Sequence, residues 1–320
     1  MAIVAGIDEA GYGPTLGPLV ASAVVLRVPD ASADANLWDA LKKTCAATPG
    51  RGARRLIIAD SKKLKRPDGD IQLLEQAALV MLAVLGRRPG DWAEYVEVVA
   101  PGALAEFEEY PWYACDGFHL PVTRGLLDVG TRANAVRLNM AEQGVELLGV
   151  HSAPLAEGHF NRLVARTRNK ASVLCGLALR LMQAAMRAAK NEPVYIHVDR
   201  LGGRSHYRDV LMTSWPEYEL TVLEETETRS AYRLRHGAQL CEIDFTTEGE
   251  RRYFPVALAS IYSKYLRELC MHAFNRYWSG LVSGLVPTAG YYTDAQRWLR
   301  DAEPALTRLH IDRRMLVRER

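Results

Sequence analysis

Cysteine is sparse in this chain and never paired for a metal. Cys45, Cys115, Cys175, Cys241 and Cys270 are odd in number, scattered, and nowhere in C-x-x-C spacing. That distribution argues against a disulfide framework or a zinc knuckle and fits a reducing, cytoplasmic setting. An excess of either charge is also missing: 40 Lys and Arg face 38 Asp and Glu, a formal net charge of +2. Coating nucleic acid through bulk positive charge is excluded, whereas an enzyme with a local basic groove is not. No long hydrophobic run occurs either. One of the two longest uncharged stretches, Ala10 to Leu26, is interrupted by glycines and prolines and follows an acidic pair rather than a basic n-region. It is therefore neither a signal peptide nor a membrane span. There is no internal repeat and no low-complexity tract. What is present is an ordinary globular composition: 320 residues, 48% apolar and 24% charged, enough for one large domain or two ordinary ones.

Periodicity supplies the organisation. Ile3 to Ile7 is a short β-branched run that predicts a buried strand ending in Asp8-Glu9, and the valine-rich Leu19 to Val28 predicts a second. The loop between them is short, so the two are expected to be antiparallel neighbours. A weak helix is expected over Asp34 to Ala47, a loop at Gly50-Arg51-Gly52, and a strong helix over Ile71 to Leu85, closed by the Gly/Pro-rich turn Gly86 to Gly90. The stretch from about Asp91 to Gly144 is irregular, apart from a helix-like piece at Thr131 to Gln143. Beyond it come a strand at Val145 to His151, a long apolar helix over Lys170 to Ala189, and a strand at Val194 to Val198 ending at Asp199. A short helix at Ser205 to Met212, a strand at Tyr218 to Leu223 and a long helix over Pro255 to Trp278 follow. Strands first, then helices alternating with strands, indicate an α/β fold: a mixed sheet with helices on its faces.

Four groups of residues are suited to chemistry. Asp8 and Glu9 are adjacent carboxylates at a buried strand end, costly unless a cation neutralises them. They open a loop, Gly11-Tyr12-Gly13 to Gly17-Pro18, whose glycines let a ligand approach the backbone. A dinucleotide loop would run into a helix, and a P-loop would end in Gly-Lys-Ser/Thr; this loop runs into a strand and does neither. Asp60-Ser61-Lys62-Lys63-Leu64 reads either as a capped, solvated helix start or as lysines placed near a phosphate. Asp199 sits at the carboxyl end of a parallel-type strand, where α/β folds keep their chemistry, with Gly202-Gly203 just after it. Ser260, Lys264 and Glu268 share one face of a helix, although Lys264 and Glu268 at i and i+4 are also spaced to pair with each other.

Together these motifs resemble the type 2 ribonucleases H, the ribonuclease HII and HIII group. Gly6-Ile7-Asp8-Glu9-Ala10-Gly11-x-Gly13-Pro14-x-x-Gly17-Pro18 is similar to that group's N-terminal motif. The rest follows in family order: Asp60 to Leu64, Asn169-Lys170 opening a helix, Asp199, Ala259-Ser260-Ile261-x-x-Lys264, and Gly290-Tyr291-x-Thr293 before a basic tail. Tyr12 stands where ribonuclease HII has arginine, and a glutamate at the last acidic place is the ribonuclease HIII pattern.

The resemblance implies a ribonuclease H-like catalytic domain over 1–320, interrupted by an insert at about 87–144 and ending in a helical region at about 270–320. It implies an endoribonuclease, a phosphodiester hydrolase acting on the RNA strand of RNA/DNA hybrids or on ribonucleotides embedded in duplex DNA. Asp8, Glu9, Asp199 and Glu268 would be both catalytic and metal-holding, with two Mg²⁺ or Mn²⁺ ions per site. No histidine or cysteine is adjacent to any of the four, which argues against zinc. Substrate contacts are expected from Gly11, Tyr12, Gly13, Lys62, Lys63, Asn169, Lys170, Ser260, Lys264 and either Tyr291 or Tyr292. The tail's Arg313, Arg314, Arg318 and Arg320 are further candidates for phosphate contact. Tyr110, Trp112 and Tyr113 of the insert are expected to form a small local core, with stacking on unpaired bases as the functional alternative. The expected partner is the nucleic acid itself; no membrane and no protein partner is implied. Two other readings stay open: a nuclease of this fold with another nucleic-acid substrate, and a catalytically silent hybrid-binding module.

Overall fold

The first strand is buried on both faces, so it reads as a continuous apolar run rather than an alternating one. In the computed structural model, which describes residues 1–30, 36–48, 55–65, 69–114, 117–126 and 128–319, strand β1 spans Ala2–Ala10. The strand therefore includes Asp8 and Glu9, with which it is expected to end, and runs one residue further, to Ala10. β2 (Leu19–Val28) pairs with it antiparallel, Ala2 opposite Val28 and Ala10 opposite Val20, as expected for so short a connection. β3 (Cys45–Ala46) and β4 (Leu56–Ile57) form a separate parallel ladder. β5 (Glu146–Leu155) pairs antiparallel with β2, and β6 (Val194–Asp199) lies parallel to β1 on its other side. β7 (Glu219–Glu225), β8 (Arg229–His236) and β9 (Gln239–Thr246) complete a seven-stranded sheet of order β5-β2-β1-β6-β9-β8-β7.

Alternate residues of β1 serve two different cores. Ile3, Ala5 and Ile7 point into one, with Leu174, Ala178 and Met182 of a long helix. Val4 points into the other, with Leu258, Ile261 and Leu266 of a second long helix. Each buried Val, Leu, Ile or Met side chain among these contributes about 1.5–3 kcal/mol relative to exposure.

In chain order the helices are α1 (Leu37–Ala40), α2 (Ser61–Leu64), α3 (Gln72–Val84), α4 (Trp92–Val99), α5 (Ala103–Phe107) and α6 (Val129–Glu142). They continue with α7 (Glu157–Thr167), α8 (Lys170–Ala188), α9 (Arg208–Ser214), α10 (Gly249–Arg252), α11 (Phe254–Leu281), α12 (Tyr292–Arg308) and α13 (Arg313–Leu316). α8 and α11 are the two helices on opposite faces of the sheet. This is the mixed sheet, flanked by helices and followed by a helical region, that the motif resemblance implies. No helix among the described residues is long and apolar enough to cross a membrane.

Several local expectations change. The weak helix at 34–47 reduces to α1 followed by β3, and its first two residues lie outside the described part, as do Gly50-Arg51-Gly52. The β8–β9 hairpin and α7 go beyond the expected elements, although Tyr232 and Leu234, then Cys241, Ile243 and Phe245, alternate with polar residues around Gly237 as a hairpin does, and α7 is amphipathic. The 87–144 segment contributes α4, α5 and α6 and no strand to the seven-stranded sheet. Its Tyr110, Trp112 and Tyr113 are 0%, 1% and 1% exposed, so they are not placed to stack on unpaired bases. Instead of forming a separate small core, Trp112 packs against Phe274 and Trp278 of α11, at 6.1 and 6.0 Å between ring centroids.

Candidate active site

Parallel pairing puts two acidic strand ends side by side. Ile7 is opposite Val198 in the β1–β6 register, so Asp8 and Asp199, each one residue further on, emerge together at the carboxyl edge of the sheet. Asp8 accepts the Glu9 amide at 2.7 Å, and its own carbonyl accepts Ser263 Oγ of α11 at 2.9 Å. Asp199 Oδ1 accepts the Gly249 amide at 2.9 Å, which ties α10 to the end of β6. The next residue, Glu250, thereby enters the same cleft and is 8% exposed. Asp8, Glu9, Asp199 and Glu250 all line this cleft, with Lys62 and Tyr12 at its sides.

The carboxylates raise one another's pKa. Burial first, then Glu9 and Asp199, push the Asp8 carboxyl well above its usual range. Glu9 is raised to about 7 by burial and by Asp199, with Lys62 opposing. Asp199 is raised to about 6, mainly by burial; the Gly249 amide opposes this and Glu250 adds to it. Lys62 is exposed, and partial desolvation would lower it, yet Asp60, Glu250, Asp8 and Asp199 hold it above the usual lysine value. The cleft is thus a concentration of acidic groups, with the ammonium groups of Lys62 and Lys264 also in its lining.

Glu268 is elsewhere. It does not line the cleft, and its two oxygens bind Lys264 Nζ at 2.9 Å and Lys65 Nζ at 2.8 Å. Burial alone would raise its pKa, but the two ammonium groups hold it below the usual range. Of the two fates open to Glu268, the i,i+4 pairing with Lys264 is the one the structure adopts. Glu250 escapes sequence reasoning because β9 is not among the expected strands, although its Cys241, Ile243 and Phe245 alternate with Glu242 and Asp244, so no expected strand end marks the acidic residue that follows. The available signal was an acidic residue within a short turn between a strand end and a Pro-initiated helix.

The other expected contact residues divide. Gly11, Tyr12, Gly13, Lys62, Ser260, Lys264 and Tyr291 line the cleft. Tyr291 is 53% exposed, and Tyr292, next to it, does not line the cleft. Ser260 hydrogen-bonds Ser61 Oγ at 2.9 Å, joining α11 to α2, and Asp60 caps α2 by accepting the Lys62 amide at 2.9 Å. Lys63 is exposed but does not line the cleft. Asn169 caps α8 through the Ala171 amide at 2.8 Å and does not line the cleft, while Lys170 Nζ stands 5.0 Å from the centroid of the Tyr12 ring. Gly11 has φ +87°, which only glycine tolerates cheaply. A Cβ on Gly13 would meet nothing within 4 Å, so that face of the loop is open. Of the tail arginines, Arg313 pairs with Glu303, Arg318 is buried, and Arg320 lies outside the described residues.

This arrangement yields a graded expectation for phosphate contact. Lys62→Ala weakens nucleic-acid binding and lowers the slope of log affinity against log salt by about one. Lys63→Ala, outside the cleft, changes the slope by less. Anisotropy titrations across a salt series check this, and equal slopes for parent and Lys62→Ala would remove Lys62 from the binding surface.

Among the described residues, no group of three or more His, Cys, Asp or Glu side chains is already arranged to hold a metal ion. The cleft nonetheless fits a hard divalent cation by its donor chemistry. Its acidic side chains offer only oxygen, burial and repulsion oppose their ionisation, and Glu9 Oε2 is buried with no hydrogen-bond partner. A dication would relieve that repulsion and satisfy the orphaned oxygen.

No protein-family model and no curated protein matches the chain. Among solved structures it is similar to the ribonuclease H2 from Pyrococcus horikoshii OT3, at 13% identity and TM-score 0.48, over 98% of this chain and 92% of that one. It is also similar to RNase HII in its complex with PCNA from Archaeoglobus fulgidus, at 12% identity and TM-score 0.41, over 99% and 94%. A third is Bst-RNase HIII in complex with Mn²⁺, at 14% identity and TM-score 0.40, over 99% and 66%.

Proposed function

We propose that this chain is a metal-dependent endonuclease of the ribonuclease H type. It hydrolyses the RNA strand of RNA/DNA hybrids, or ribonucleotides embedded in duplex DNA. The observation that carries the reading is the convergence of Asp8, Glu9, Asp199 and Glu250 at one edge of the sheet, beside a glycine loop whose Gly13 face is open. The motif resemblance, which shares Asp8, Glu9, Asp199 and the glycine loop with this cluster and extends to Asn169-Lys170 and Gly290-Tyr291-x-Thr293, supports it.

The roles follow from position. Asp8, Glu9, Asp199 and Glu250 hold divalent metal, with Glu250 replacing Glu268 in the set expected from sequence. Mg²⁺ or Mn²⁺ bound there supplies an acidified water and charge stabilisation for phosphodiester hydrolysis. Lys62 faces the carboxylates and meets a phosphate. Backbone groups of Gly11-Tyr12-Gly13 read the 2′-hydroxyl that distinguishes RNA from DNA. Tyr291, exposed at the cleft, stacks on the sugar next to the cut.

The test compares an RNA/DNA hybrid, a single ribonucleotide in duplex DNA, duplex DNA and duplex RNA, each with Mg²⁺ and with Mn²⁺. Cleavage confined to one or both of the first two is the expected result. Cleavage of duplex DNA or RNA instead would point to another substrate, and binding without cleavage in both metals would leave a hybrid-binding module.

A further inference from the structure

Arg318, a candidate for phosphate contact as part of a basic tail, is 3% exposed. Its Nη2 donates to the carbonyls of Gly11 and Pro14, and its backbone amide donates to Thr15 O at 2.9 Å. The guanidinium also lies 5.1 Å from the centroid of the Phe160 ring on α7.

Around Arg318 the segment is fastened down. Asn161 of α7 donates from Nδ2 to Arg314 O at 2.8 Å and to Val317 O at 2.7 Å, and its Oδ1 accepts the Glu319 amide at 2.7 Å. A second buried arginine, Arg267 of α11, takes the far end of the loop, donating to Leu16 O at 3.0 Å and Pro18 O at 2.6 Å. Glu157 of α7 accepts the Gly17 amide at 3.0 Å. The glycine loop is therefore gripped by its carbonyls from beneath.

Such a grip is costly. Arg318 Nε and Nη1 are buried without a hydrogen-bond partner, and a buried cation with unsatisfied donors opposes folding. Packing alone would be served as well by an apolar side chain. What an arginine adds is a planar donor group able to hold two carbonyls at once. A trans peptide keeps C=O and N–H antiparallel, so holding the Gly11 carbonyl inward turns the Tyr12 N–H outward, away from the guanidinium. Gly11, Tyr12 and Gly13 line the cleft.

We propose that Arg318 is a positioning residue for ribose selectivity: docking of residues 312–319 on α7 carries its guanidinium under the loop and sets the backbone that faces the substrate sugar. The inference rests on the functional reading above for the sugar, but not for the grip on the loop.

The experiment uses the full chain, with R318M, R318K and N161A, and two readouts. The first is hydrogen–deuterium exchange of a peptide covering residues 10–17, with one covering 19–28 as control. The second is the ratio of kcat/KM for a duplex with a ribose at the scissile position to that for its deoxyribose counterpart. R318M is expected to speed exchange at 10–17 by at least about tenfold while 19–28 is unchanged, and to lower the ribose ratio by at least about tenfold. R318K restores part of both, and N161A, which keeps the arginine but frees the segment, shifts both in the same direction as R318M. Unchanged exchange at 10–17 in R318M and N161A overturns the grip. Faster exchange with an intact ribose ratio overturns the link to selectivity. Should the parent cleave no substrate, the functional reading falls, and the exchange data alone still decide whether Arg318 shapes the loop. If R318M does not fold, N161A and R318K carry both readouts.

Discussion

Asp8→Asn and Glu250→Gln each lower hybrid cleavage by at least about a hundredfold, whereas Glu268→Gln lowers it by less than about tenfold. Asp8 and Glu250 line the same cleft, while Glu268 is occupied by Lys264 and Lys65. Glu268→Gln instead destabilises the fold, because it leaves two partly buried ammonium groups without their carboxylate. Single-turnover rates at saturating Mg²⁺, with circular dichroism melts of each variant, separate the two effects. An inactive Glu268→Gln beside an active Glu250→Gln would reverse the assignment.

The same cluster makes a pH-dependent stability expectation for the metal-free protein. Asp199 has its carboxyl raised from 3.8 to about 6 by burial first. A carboxyl with a raised folded-state pKa is protonated in the folded chain while the unfolded chain has already ionised. The penalty is therefore absent below pH 3.8, grows as pH rises through about 6, and is complete above that. Asp199→Asn removes it, so its melting temperature in chelator should exceed the parent's at pH 8 and approach it near pH 4. A gain that is largest in acid would contradict burial of the ionised carboxylate as the cause.

Gly6→Ala is the substitution expected to cost the most stability. A Cβ at Gly6 would lie 2.1 Å from Pro255 C and 2.1 Å from Val256 N, both backbone atoms at the start of α11. Flexible side chains yield to such an intrusion, but here a buried interior strand, β1, and the long helix α11 must separate. Overpacking a core commonly costs about 1–3 kcal/mol, and a clash between two backbones belongs above that range. Chemical denaturation should show Gly6→Ala destabilised by more than about 3 kcal/mol, or recovered only as insoluble protein. Gly13→Ala, where a Cβ meets nothing within 4 Å, should unfold with the parent's midpoint. A stable Gly6→Ala would mean that α11 can ride up on β1.

Where a signal was local, it could be read from the residues. The β-branched runs at Ile3 and Leu19, the apolar periodicity of Lys170 to Ala189 and the Pro-initiated helix at 255 all appear as β1, β2, α8 and α11. The acidic pair and the glycine loop stood out because buried charge and backbone freedom are both costly, and hence conspicuous, in a short stretch. Asp199 was legible because it ends a strand that is itself legible.

The tertiary structure decided which distant group joins that site. On a helix, Lys264 and Glu268 are neighbours by spacing, and whether the carboxylate faces a cleft or a lysine depends on how α11 is rotated against β1 and α2. It is rotated so that Lys65 arrives as a second partner for Glu268. Glu250 reaches the cleft only because β9 lies parallel to β6 and α10 is anchored to Asp199. Arg318 is far along the chain from Gly11, and no periodicity joins them; α7, through Asn161, brings them together. Sequence patterns determine which segments are strands, helices and tight loops, because those depend on neighbours a few residues apart. Which charges pair and which remain for chemistry depends on the packing of segments far apart in the chain, where burial makes each unpaired group expensive.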